Sequence, residues 1–298
     1  MKLLFVINPI SGGIDKSSFI KQAQAICTKY GHQTEWFYTT GQNDEPRLKK
    51  LIEATKPDRV ASVGGDGTTL FTGLQLMNSN IPVGIIPMGS ANGMAAELNV
   101  NSNPVEALKD LLMSEVIKGL DLVKVNRQYY SLHIGDVGLN ARIVEAFEKD
   151  PNRGMITYAK YFLNELTKLE PFSVKVHTPE KDYDGKVYMT GICNARKFGT
   201  GIPINKVGNP MDGKFELVMI EKIDALALIK AGLAKFDENF LDHRIATVIS
   251  TTHATVSFDQ PRLLQLDGEV IGKFQELEVE IVPKAIQLVT HNNNSYLQ

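Results

Sequence analysis

Residues 3–7, Leu-Leu-Phe-Val-Ile, are a continuous apolar run near the start of the chain. A strand that is hydrophobic at every position must be covered on both faces, which places it inside a sheet with helices above and below. The next hundred residues supply those layers. Residues 16–30 carry Phe19, Ala23, Ile26, Cys27 and Tyr30 on one helical face, with Gly31 where a helix C′ residue belongs. Asp44-Glu45-Pro46 opens a second helix whose inner face is Leu48, Leu51, Ile52 and Thr55. Strands read at 34–38, 59–63 and 82–86, and a helix at 67–77. The order β-α-β-α-β-α-β calls for a parallel sheet with helices on both sides.

From about residue 121 the texture changes. Short β-type stretches recur at 122–125, 129–134, 174–177, 187–193, 215–220, 246–250, 254–258, 263–266 and 277–282, interrupted by helical stretches at 156–169 and 225–236. Many short strands with turns between them predict an antiparallel β-sandwich. A chain of 298 residues suits two domains, and no repeat, charge block or low-complexity linker separates them.

Composition narrows the function classes. A formal net charge of −2 gives no basic footprint for nucleic acid. Cys27 and Cys193 are the only cysteines, too few for a disulfide framework or a zinc cluster, and fit a reducing cytoplasm. Histidines 32, 133, 177, 243, 253 and 291 show no metal-ligand spacing. The opening apolar run is shorter than the roughly 7–15 residues of a signal h-region, and Asn8-Pro9 ends it. No segment approaches the ~20 apolar residues of a membrane span. A lipid substrate, if there is one, is met by transient visits to the membrane surface. The sequence leaves a homo-oligomer open.

The loops after the four strands of the first half share a chemistry. They read Asn8-Pro9-Ile10-Ser11-Gly12-Gly13, then Thr39-Thr40-Gly41, then Gly64-Gly65-Asp66-Gly67-Thr68, then Pro87-Met88-Gly89-Ser90-Ala91-Asn92. All leave the carboxyl ends of parallel strands, the edge where open α/β sheets bind ligands. Glycines allow close backbone approach to an anion. Ser11, Thr40, Thr68, Ser90 and Asn92 add donors without fixed charge, and helix N-termini follow at least two of the loops and point N–H groups at the same place. A polyphosphate suits this edge. Asp66 among such loops repels phosphate unless a cation intervenes or backbone ties the side chain down, so it is read as magnesium-linked or loop-bracing. Neither G-x-x-x-x-G-K-[ST] nor G-x-G-x-x-G is present.

Two features remain in the second half. Asp267-Gly268-Glu269 sets two carboxylates around a glycine, as either a charged hairpin turn or a general base for a phosphoryl acceptor. Asn209-Pro210-Met211-Asp212-Gly213-Lys214 alone is a plain turn.

Taken together, N-P-x-S-G-G at 8–13, G-G-D-G-T at 64–68, P-M-G-S-A-N at 87–92, F-G-x-G at 198–201, M-D-G-x-F at 211–215 and D-G-E at 267–269 resemble the bacterial diacylglycerol-kinase-like lipid kinases, related to sphingosine and ceramide kinase catalytic domains. The resemblance implies an α/β nucleotide-binding domain over 1–121 and 285–298, a β-sandwich domain over 122–284 and an active site between them. It implies transfer of the ATP γ-phosphate to a lipid hydroxyl with magnesium. It implies that the glycine loops, with Gly12, Gly13, Gly64, Gly65, Gly67 and Gly89, bind the nucleotide. Asp267 becomes the proton acceptor with Glu269 its neighbour, and Asp212, with carbonyls near Asn209 and Lys214, a structural metal site. Many members follow the fourth loop's Asn with Asp, where this chain has Gly93, and Glu97 one turn on is a candidate substitute. NAD kinase, which shares Gly-Gly-Asp-Gly, and a non-catalytic nucleotide sensor are the competing expectations.

Overall fold

The computed structural model describes residues 1–138, 170–197, 204–222 and 246–297. The chain divides into two compact units, Met1–Asp121 with Pro283–Gln298, and Leu122–Val282.

The first unit is built on parallel strands β1 (Lys2–Ile7), β2 (Gln33–Tyr38), β3 (Arg59–Gly64) and β4 (Val83–Pro87). β1 lies between β2 and β3, and β4 pairs with β3 on its far side. The last residues of the long strand β14 (Glu269–Val289) join this sheet, Leu288 pairing in parallel with Val83. Helices α1 (Ser17–Lys29), α2 (Asp44–Thr55) and α3 (Asp66–Leu76) occupy the crossovers. The continuous apolar pattern does what it requires: Leu3, Leu4, Phe5, Val6 and Ile7 are all inaccessible to solvent. One packed face joins Leu3, Phe5 and Ile7 to Phe19, Ala23 and Cys27 of α1. Gly31 takes the left-handed conformation, φ +69°, that ends α1.

Helix α4 (Gly93–Glu97) follows β4, and α5 (Pro104–Met113) follows that. The sequence reading passed over α5 although its signals are plain. Asn103 Oδ1 accepts from the N–H groups of Val105 (2.9 Å) and Glu106 (3.3 Å), with Pro104 in the first turn.

The second unit is antiparallel. Its main ladder runs β12 (Ala246–Thr251), β11 (Phe215–Ile220), β10 (Met189–Cys193), β7 (Ile134–Gly138), β13 (His253–Leu266), β14. β8 (Phe172–His177) pairs with β13 and with β9 (Tyr183–Val187), and β5 (Ile117–Val125) with β6 (Tyr129–Ser131). Side chains alternate across this sheet. Val137, Ile192, Leu217, Met219 and Leu264 enter the main core with Val174 and Val256, while Ile134, Met189, Cys193, Val218 and Ile220 cluster on the opposite face. The strand expected at 129–134 is broken at Leu132 and His133, for a reason given below. The segments expected at 254–258 and 263–266 are one strand with a register shift between them. The expected helices at 156–169 and 225–236 and the motif at 198–201 lie outside the described residues.

Candidate functional site

The carboxyl edge of the parallel sheet brings three of the four predicted loops into direct backbone contact. A Cβ built on Gly89 would lie 2.3 Å from Gly65 Cα, and one on Gly12 would lie 2.9 Å from Gly89 C. No side chain fits at either place without moving a loop. Ser11 Oγ donates to the carbonyls of Asn8 and Met88, both at 3.2 Å, tying the first loop to the fourth. Asn8 N–H donates to Val63 O at 3.1 Å, while Asn8 Oδ1 accepts from Ile10 N at 3.2 Å beside the exposed Pro9. Gly13 follows at φ +62°, with open space where a side chain would be. Asn92, itself at φ +53°, closes the fourth loop, accepting from Gly89 N at 2.8 Å and donating to Gly89 O at 3.0 Å. Ser90 is exposed, as is Gly67.

Two predicted donors are placed differently. Thr68 is buried, its hydroxyl packed where a Gly64 Cβ would lie 2.3 Å from Oγ1. Thr40 bonds within its own loop: its N–H donates to both Asp44 oxygens at 3.0 and 2.9 Å, and its hydroxyl donates to Asp44 Oδ1 at 3.0 Å. Thr40 organises the start of α2.

Asp66 resolves toward the bracing alternative. Its Oδ2 accepts from Gly93 N at 2.7 Å and its Oδ1 from Met94 N at 2.9 Å. The carboxylate therefore occupies the N-terminus of α4, where backbone donors and the helix dipole favour an anion. The first N–H groups of α4 are thus taken by Asp66. Glu97 ends the same short helix, buried, and accepts from the Tyr296 hydroxyl.

A residue the sequence reading missed lies under the first loop. Lys16 is 3% exposed, and its ammonium donates to Ser11 O at 2.7 Å and Ile14 O at 3.1 Å. Removal from water pulls its pKa below the usual lysine range. The signal available was weak: one lysine between a glycine loop and a helix.

In the second unit Asp267 and Gly268, at φ +51° and +88°, are the two-residue hairpin turn between β13 and β14, with Leu266 opposite Glu269. Asp-Gly is the favoured pair where both central residues need positive φ. The turn is bolted in place. Asp267 Oδ1 accepts from Ser131 Oγ (2.7 Å), His133 N (2.9 Å) and Ile134 N (3.1 Å), and Oδ2 accepts from Leu132 N at 2.6 Å. Residues 131–134 wrap this carboxylate, which is why strand pairing stops at Leu132 and His133. Burial pushes the Asp267 carboxyl above the usual carboxylate range, and the bonds from Leu132, Ser131 and His133 hold back part of the rise. Glu269 is exposed at the start of β14.

Gln265 adds a brace that no local motif announces. It is fully buried; its Oε1 accepts from Gly268 N at 2.8 Å and its Nε2 donates to Asp136 Oδ1 at 2.5 Å. Asp136 is opposite Gln265 on β7, a pairing across more than a hundred residues.

The 209–214 turn is as tight as its sequence suggests. Asp212 Oδ1 accepts from Lys214 N at 3.0 Å, Asn209 Oδ1 from Met211 N at 3.1 Å, and Asp212 N donates to Asn209 O at 3.4 Å. Asp212 lies close enough to the buried Glu216 to raise its pKa, a smaller effect than the burial of Glu216 itself.

The geometry agrees with the comparisons to known proteins. Residues 2–125 match the diacylglycerol kinase catalytic domain, and residues 134–290 match the YegS C-terminal NAD kinase beta sandwich-like domain. A diacylglycerol kinase of Bacillus subtilis is 24% identical over 278 residues, covering 90% of this chain and 89% of that one. A Staphylococcus epidermidis protein provisionally named a lipid kinase is 30% identical, covering 82% and 80%. The crystal structure of a diacylglycerol kinase from Bacillus anthracis superposes with a TM-score of 0.73 at 19% identity, covering 98% of each chain, which shows the shared fold. With both halves matched in order and a curated relative at 30% identity over most of its length, the chain belongs to the bacterial diacylglycerol-kinase-like lipid kinase family.

Proposed function

We propose that this protein transfers the γ-phosphate of ATP, with magnesium, to the hydroxyl of a diacylglycerol-like lipid, which it meets by transient association with a membrane surface. The observation that carries the reading is the contact of Gly89 with both Gly12 and Gly65 at the carboxyl edge of the parallel sheet. Backbones this close leave no room for side chains, so a polyphosphate there would meet main chain. Membership of a kinase family makes ATP the donor.

The second unit supplies the acceptor chemistry. The lipid oxygen forms a bond to the γ-phosphorus as the bond from that phosphorus to the bridging β–γ oxygen breaks, leaving ADP. The hydroxyl proton passes to the carboxylate of Asp267, with Glu269 beside it. A raised carboxyl pKa suits a base that must take a proton near neutral pH. The protein otherwise contributes positioning, as phosphoryl transfer requires. Magnesium would neutralise phosphate charge. A second ion would be held at the 209–214 turn by the Asp212 carboxylate, one oxygen of which accepts from Lys214 N, with carbonyls near Asn209 and Lys214, the hard oxygen donors magnesium takes.

Incubation with radiolabelled ATP and either a bacterial lipid extract or NAD tests the reading. Label must enter the organic phase; label in NADP would move the protein to the NAD kinases. One second reading has an observation behind it. Position 93 is glycine and donates its N–H to Asp66, so the site lacks an acid many relatives place there. A chain that bound ATP yet labelled no lipid from a broad panel would be a nucleotide sensor.

A further inference from the structure

A buried ammonium needs an anion. Burying a charge is costly unless it is paired. Lys16 is 3% exposed, and its ammonium meets two carbonyl oxygens, Ser11 O and Ile14 O, with no carboxylate within ion-pair distance among the described residues. Asp15 is the one acid whose charge reaches it appreciably, and the Asp15 carboxylate is itself held by the N–H and hydroxyl of Ser17, both on Oδ1, at 2.9 and 2.7 Å. The carbonyls that Lys16 holds belong to residues on either side of Gly12 and Gly13. The first loop therefore curls around the ammonium, and Gly12 of the same loop meets Gly89.

We propose that Lys16 is the fixed counter-charge of the phosphate site, acting from behind the first glycine loop on a bound nucleoside triphosphate. This rests on the ATP reading above and adds to it a residue outside every motif of the chain. The Ser11 and Ile14 carbonyls turn inward onto the ammonium, and its charge adds a positive potential to the loop. In surroundings poor in water the charge acts over several ångströms without direct contact. Glycines at positive φ keep the intervening layer thin: Gly12 and Gly13 are at +66° and +62°.

The experiment compares ATP, ADP and adenosine binding by calorimetry to wild type, Lys16→Gln and Lys16→Arg. Gln keeps a donor for the loop carbonyls and removes the charge; Arg keeps the charge. The expected result for Lys16→Gln is about a tenfold or greater loss for ATP, a smaller loss for ADP and unchanged adenosine binding. Lys16→Arg stays within about threefold of wild type for all three ligands. The wild-type affinity for ATP also falls more steeply with salt than that of Lys16→Gln. Equal ATP binding by Lys16→Gln and wild type, or equal losses for ATP and adenosine, makes Lys16 a loop brace and overturns the proposal. If Lys16→Gln does not fold, a Lys16→Arg variant that folds yet loses ATP selectively overturns it as well. Wild type that binds no ATP would sink the nucleotide reading first and this inference with it, an outcome distinct from the others.

Discussion

Asp66 and Asp267 look alike in the sequence, each an aspartate followed by glycine at the end of a strand, and each carboxylate is wrapped in backbone N–H groups. Their settings differ. Asp66 takes two N–H groups from the first turn of α4, 27 and 28 residues away. Asp267 takes three N–H groups and a hydroxyl from a bend 133–136 residues away. Asp66 is a cap that sets the position of a short helix; Asp267 is the anchor of a whole hairpin. The comparison teaches that the same dipeptide can end in opposite roles. The donors separate them, two N–H groups from one helix turn against three N–H groups and a hydroxyl from a distant bend, and removal from water lifts the Asp267 carboxyl above its usual range.

The largest test of that difference is Asp267→Asn. An amide can accept through one oxygen only, so its NH2 must confront Leu132 N or the three donors on the other side. The variant should lose about 3 kcal/mol of stability in urea unfolding, from buried donors left unsatisfied. Turnover per folded molecule should also fall roughly 10²- to 10⁴-fold. Activity loss alone is then ambiguous, and Glu269→Gln provides the control: it leaves the anchor intact, so stability should hold. Full turnover in a folded Asp267→Asn would pass the proton-acceptor role to Glu269.

The pH dependence follows the same residue. With its folded pKa raised, Asp267 binds more protons folded than unfolded through the window from the ordinary carboxylate value up to the raised one. Stability from this group is greatest below that window and falls as pH rises through it. Turnover runs the other way, requiring the ionised form, so its acid limb should lie above the usual carboxylate range. Both slopes should vanish in Asp267→Asn. A rate profile flat down to ordinary carboxylate pH would remove Asp267 as base.

Asp66→Asn is milder, because two donors are at stake and not four. A loss of about 1–2 kcal/mol is expected, with a raised KM for ATP and little change in kcat. A kcat drop as large as that of Asp267→Asn would erase the distinction between cap and base.

These contrasts mark where the sequence was legible. The first unit could be read almost element by element, because each strand buried on both faces is a local apolar run and each loop after it is local too. α5 was missed only by neglecting Asn103-Pro104. In the second unit the strands were found but their joins were not. β13 and β14 are each longer than the apolar pattern suggests, because exposed positions carry polar residues such as Gln260, Lys273 and Glu276. The supports of Asp267 were out of reach: Ser131 and Gln265 are ordinary strand residues until the fold sets them beside one turn. Asp66 was left with two roles, and only the position of Gly93 and Met94 chose.

Among the loop glycines the effects are comparable to that of Asp66→Asn but more selective. Gly89→Ala puts a methyl 2.3 Å from Gly65 Cα and must push two loops apart, whereas Gly65→Ala meets Gly89 Cα at 3.3 Å. Overpacking predicts about 1–3 kcal/mol lost for Gly89→Ala and less for Gly65→Ala. The ATP-induced rise in Tm should disappear in Gly89→Ala and in Gly65→Val, whose branched side chain intrudes further. An ATP shift preserved in both would mean that phosphate binds elsewhere.

The smallest expected effect concerns the far end of α4. Glu97 is the candidate replacement for the acid missing at 93, and an acid near a helix start could instead simply complement the dipole. Glu97 is at the C-terminal end of the helix, where a negative charge opposes the dipole, so the dipole role fails. Its Oε1 accepts from the Tyr296 hydroxyl, which fastens α4 to the end of the chain. Asp66 holds one end of α4 and Tyr296 the other. Tyr296→Phe should therefore cost about 1 kcal/mol, the net worth of one hydrogen bond, and raise the ATP KM slightly through Asp66. Glu97→Gln, which can still accept from Tyr296, should change stability by less and leave the magnesium requirement where it is. Gly93→Asp sharpens the point. An acid at the first position of α4 gains up to about 1 kcal/mol from the dipole but meets the Asp66 carboxylate, so a nearby cation is needed to hold both. Turnover at low magnesium should then rise in Gly93→Asp. A magnesium requirement that climbs in Glu97→Gln instead would show that Glu97, and not an added acid at 93, completes the metal shell.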